Sequence, residues 1–104
     1  MKVIDLEGAA LDWAVWACEK PDDEFLQQRR KCRPYSNDWA QGGPIIERER
    51  IATWGDGNLY WEAECGWAWG KGPTPLIAAM RCYVTSKVGE ENEVPDELME
   101  GASQ

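Results

Sequence analysis

The stretch GPTPLIAAMRCYVTSKVG, Gly72 to Gly89, constrains the fold more than any other part of the chain, because start signal, periodic interior and stop signal agree within it. The Thr74 hydroxyl can cap a first turn, and Pro75 suits the first helical position, where its missing N–H costs nothing. Leu76, Ile77, Met80, Tyr83, Val84 and Val88 then recur at three- and four-residue intervals. Lys87 falls in the last turn and Gly89 supplies a left-handed stop. The spacing predicts a helix over 74–88 that serves as the core scaffold.

Around it, the pattern predicts an α+β fold: two main helices, 6–19 and 74–88, on a small antiparallel sheet with a Trp-rich hairpin. Asp5 is the expected cap of the first helix, and Val3 and Ile4 are expected as an edge strand. Leu6, Ala10, Trp13 and Ala17 share one face of that helix, while Leu11, Val15 and Cys18 form a second apolar row and Trp16 a further flank. A helix this apolar is either central or shared with another subunit. The segment PYSNDWAQGGPIIERER reads as a loop, since Ser36, Asn37, Asp38, Gly42, Gly43 and Pro44 interrupt regular structure. A β-prone run from Ile45 to Trp54 and a period-two segment from Leu59 to Cys65 then flank the turn Gly55-Asp56-Gly57-Asn58. The two segments read as the hairpin, 45–65, with one face on the core. In GWAWGKG, residues 66–72, the two tryptophans either extend the sheet or form an aromatic flap between glycine hinges.

With 104 residues the chain forms one domain, expected over 1–89, followed by a flexible acidic tail over 90–104. Of the net charge of −8, that tail holds −6, leaving −2 on residues 1–89. A nearly neutral body argues against phosphate-driven nucleic-acid binding and against a whole-surface mimic of DNA. No stretch has the ~20 apolar residues of a membrane span, and the acidic N-terminus is unlike a secretory signal, so a cytosolic protein is expected. The four cysteines form no CxxC pair and there is no histidine. Reduced, partly buried thiols are expected ahead of paired disulfides or a four-thiolate zinc site.

Lack of histidine removes imidazole-based catalysis, and neither the phosphate-loop nor the dinucleotide fingerprint is present. No carboxylate pair is singled out among Asp38, Glu47, Glu62 and Glu64. The chain is therefore expected not to be an enzyme and to use no cofactor. Seven tryptophans ask for a role beyond filling a small core, because large rigid aromatics supply contact area to flat ligands and to protein partners. Tyr35 and Trp39 lie among small polar residues where rings and backbone amides suit a ligand, or else Trp39 plugs the core. The basic run Arg29, Arg30, Lys31 and Arg33 is either a solvated connection or an anion-binding lip.

Three strings, GAALDWAV at 8–15, DWAQGGPIIERE at 38–49 and GPTPLIAAMRCYVTSK at 72–87, resemble the NinX-like family of small proteins of tailed bacteriophages and prophages. The resemblance implies a phage accessory protein, a setting in which host systems are disarmed by sequestering a signalling nucleotide or by occupying a host protein. Two expectations follow. In the first, Tyr35 and Trp39 stack on a flat ligand while amides near Gly42, Gly43 and Thr74 and the cation of Arg48 or Arg81 hold its anionic part, with Asp38 a further ligand-binding candidate. In the second, a host protein is bound through an aromatic surface and the acidic tail; this would leave Trp54, Trp67 and Trp69 exposed on a convex patch. A homo-oligomer is expected from the surplus of apolar surface.

Overall fold

A computed structural model describes residues 2–22 and 32–91. The basic residues Arg29, Arg30 and Lys31 and the tail from 92 onward lie outside the described residues. The elements run as a 3-10 turn (Val3–Asp5), α1 (Gly8–Glu19), α2 (Trp39–Glu49), β1 (Ala52–Gly55), β2 (Trp61–Cys65), β3 (Ala68–Gly72) and α3 (Pro75–Val88). The fold is α+β, with three α-helices and a three-stranded antiparallel sheet in the order β1-β2-β3 among the described residues.

The helix predicted over 74–88 forms as expected. The Thr74 hydroxyl accepts from the Ile77 amide at 3.1 Å, Pro75 opens the first turn, and Gly89 ends the helix at φ +87°. Its environment is richer than amphipathicity implied. One side of α3 packs on the sheet and others meet α1 and α2, so Leu76, Ala78, Ala79, Met80, Cys82, Tyr83, Val84 and Thr85 are all buried. The approach to β3 is close enough that a Cβ on Gly70 would lie 2.4 Å from the Ala78 carbonyl oxygen. Glycine here lets strand and helix backbones touch.

Four local expectations are corrected. The 35–48 segment is not a loop: α2 starts at Trp39, with the Asp38 carboxylate accepting from the Ala40 amide at 2.9 Å. Its Gly-Gly-Pro run lies inside the helix. Pro44 deprives the Ala40 carbonyl of its usual helical donor, and both residues are exposed, so water can satisfy that group. α2 closes through Arg50 in the left-handed region at φ +55°, the Ile51 amide donating to the Ile46 carbonyl at 3.0 Å. The hairpin is accordingly shorter than 45–65, and β1 begins only at Ala52.

Val3 and Ile4 form a 3-10 turn rather than an edge strand. Lys2 makes a single antiparallel bridge with Glu91, supported by the Val3 amide donating to the Glu90 carbonyl at 2.8 Å. Asp5 belongs to this turn, and α1 begins after Glu7 without a side-chain cap. The 66–72 segment extends the sheet: Gly66, at φ +59°, and Trp67 make a two-residue turn joining β2 to β3.

Candidate functional site

Strand register sorts the sheet into two faces. Ala63 is aligned with Thr53 and Gly70, and buried Ala63, Ala68 and Gly70 face α3. Alternation turns Trp54, Glu62 and Lys71 in one row, and Ala52, Glu64 and Trp69 in the next, to the opposite, open face. Trp54 is 38% exposed, Trp69 43% and Trp67, in the turn beyond, 70%. The Trp69 indole leans diagonally across the sheet and donates Nε1–H to Glu62 Oε1 at 3.1 Å. Lys71 leaves its own row: its ammonium lies 3.6 Å from Asp56 and 5.3 Å from the centre of the Tyr60 ring.

Asp56 has a second task that fixes this corner. Its carboxylate accepts from the amides of Asn58 and Tyr60, tying off the turn between β1 and β2 around Gly57 at φ +82°. Two shallow clefts flank Ile4 beside β3. One, of about 280 Å³, is lined by Lys2, Ile4, Trp67, Trp69, Thr85 and Glu90. The other, of about 250 Å³, is lined by Ile4, Tyr60, Lys71, Gly72 and Arg81.

The residues singled out from the sequence fall into separate environments. Tyr35 is buried in the core, where desolvation raises its phenol above the ordinary range. Trp39 is 55% exposed at the start of α2. Gly42 does converge with the start of α3, but as packing: a Cβ there would stand 2.4 Å from the Tyr35 carbonyl oxygen and 2.6 Å from Leu76 Cδ1. The amide of Gly42 donates to the Asp38 carbonyl, and Gly43 lies against the Trp39 ring.

Arg48 is engaged within the fold. It forks onto Glu19 through Nη1–Oε1 at 3.0 Å and Nη2–Oε2 at 2.6 Å, and its Nε donates to Glu49 at 2.8 Å. Those bonds hold its guanidinium well above the ordinary arginine range. Thr74 is exposed, with its hydroxyl occupied as the cap of α3. Arg81 donates Nε–H to the Leu6 carbonyl at 2.9 Å and Nη1–H to the Lys71 carbonyl at 2.7 Å, pinning the N-terminal segment to β3. Burial lowers the pKa of this guanidinium.

No sequence signal singles out the open-face residues Glu62, Glu64 and Lys71 for a site, although the period-two pattern places both glutamates on one side. Among the described residues, no group of three or more potential ligands is arranged to hold a metal. All four cysteines are free, and no helix among those residues is long and apolar enough to cross a membrane.

The class defined by this geometry is a small α+β domain with one sheet face packed by a helix and the other open, aromatic and acidic. The family model described as Bacteriophage P22, NinX, matches residues 2–87, and the chain belongs to that family. No curated protein matches it.

Proposed function

We propose that the chain is a phage accessory protein acting in the bacterial cytosol as a non-enzymatic binding module, and that it inhibits or redirects a host protein through its aromatic sheet surface. The observation that supports this reading is the exposure of Trp54, Trp67 and Trp69 together on the open face and its adjoining turn. Exposed tryptophans set beside charged side chains are a common feature of protein-binding sites. The test is photo-crosslinking in phage-infected cells, with benzoylphenylalanine placed at Trp54 or Trp67 and, as control, at Trp39. The same defined host product from positions 54 and 67, absent from 39, supports the reading. Loss of crosslinking at both open-face positions removes it.

Sequestration of a small anionic, nucleotide-like ligand is the second reading. Arg81 favours it: this half-buried cation has no salt-bridge partner among the described residues and lines the cleft with Lys71 and Tyr60. Nucleotides that raise Tm for the native protein but not for Arg81→Lys support this site; a panel without any thermal shift removes it.

A further inference from the structure

Resting on the protein-binding reading, we propose that the open sheet face takes an extended partner segment carrying arginines at alternate positions. Glu62 and Glu64 project from this face two residues apart on β2. Among the described residues neither has an ion-pair partner. The base aligned with Glu62 is Lys71, which is drawn away to Asp56 and the Tyr60 ring. Trp69 donates to one oxygen of Glu62, holding that carboxylate beside an indole. Trp54 is aligned with Glu62 from the other side, so both tryptophans border the acidic row.

This surface is complementary to guanidinium in shape and charge. A guanidinium can stack flat on an indole while donating forked hydrogen bonds to a carboxylate; an ammonium has only the point charge. Alternate side chains of an extended segment recur about 7 Å apart, the same repeat as Glu62 and Glu64.

The probe is the peptide acetyl-Gly-Arg-Gly-Arg-Gly-amide, followed by the indole N–H resonances of the intact protein, with Gln-for-Arg and Glu-for-Arg peptides as controls. The expected result is saturable movement of the Trp54 and Trp69 signals with the Arg peptide alone. In the Glu62→Gln/Glu64→Gln protein, binding should weaken by about tenfold while the remaining spectrum reports an intact fold. Equal response to the Gln peptide, no response to the Arg peptide, or sedimentation showing a homodimer that covers both tryptophans would overturn the proposal. Host crosslinks from positions 54 and 67 that persist in that event leave the protein-binding reading standing and remove only its arginine chemistry.

Discussion

The Arg48 guanidinium meets the Glu19 carboxylate side by side through paired hydrogen bonds of 3.0 and 2.6 Å, closing α2 onto the end of α1. Tyr83 of α3 donates its hydroxyl to the same Glu19 Oε2 at 2.5 Å, so one carboxylate joins all three helices. Half-exposure of Arg48 limits the ion pair itself, and Arg48→Ala should cost about 1 kcal/mol. Glu19→Ala should cost about 2 kcal/mol, because the partly buried Tyr83 hydroxyl then loses its acceptor. Urea denaturation of the two variants checks both the loss and its order.

The same carboxylate gives a pH signature. Hydrogen bonding from Arg48 is the main cause holding Glu19 below its ordinary 4.5. Its stabilisation is therefore complete above the unfolded value and disappears as pH falls through the lower folded value. Asp12 has the opposite sign: burial raises it above 3.8, against hydrogen bonds from the Ser36 amide and hydroxyl. Its contribution is present at low pH and lost as pH rises through the raised value. Denaturant midpoints between about pH 5 and pH 3 should fall less steeply for Glu19→Gln than for the native chain, and more steeply for Asp12→Asn.

Neighbouring glycines of α2 should respond with opposite signs. Gly42→Ala drives a methyl into the Tyr35 carbonyl and Leu76, and should destabilise by about 2 kcal/mol. At Gly43 the nearest atom outside the local helix backbone is in the Trp39 ring at 3.8 Å, so Gly43→Ala should gain about 0.5 kcal/mol from helix propensity. Differential scanning calorimetry of the pair measures the contrast.

Cys18, Cys32 and Cys82 should react slowly in the native state. Burial pushes Cys82 up to about 12 and is the first cause raising Cys18 to about 11 and Cys32 to about 12. Iodoacetamide at pH 8, followed by intact mass and peptide mapping, should leave Cys82 unlabelled until denaturant is added.

The cap of α3 should be separable from any ligand role. Thr74→Ala removes the acceptor for the Ile77 amide and should cost about 1 kcal/mol, while Thr74→Ser retains most of the stability. Chemical denaturation of both variants tests the assignment.

The helical ending of α3 was legible because its signals act within a few residues of one another: a hydroxyl three positions before an amide, proline at the first turn, glycine at the end. The DWAQGGP segment reads as a loop in sequence although it is helical, because its Gly42 answers to a non-local contact. Gly42 gives room to Tyr35 and Leu76, contacts set by tertiary packing, and Pro44 is accommodated at the helix surface. The Val3-Ile4 segment likewise has strand-forming side chains, but among the described residues no strand lies beside it to complete a ladder, and the pairing there is the Lys2–Glu91 bridge.

For the candidate site, the sequence identified an unusual supply of tryptophan and an alternating β2, which places Glu62 and Glu64 together. It also determined the α3 boundaries and the turn-rich hairpin through local backbone chemistry. Only tertiary structure decided that Tyr35 is core, that Arg48 is held by Glu19, and that Trp54 and Trp69 border the open acidic row. The physical reason is that periodicity assigns a residue to a face, while burial and charge pairing depend on which distant element covers that face. Here α3 covers the inner side of the sheet and leaves the outer one to solvent.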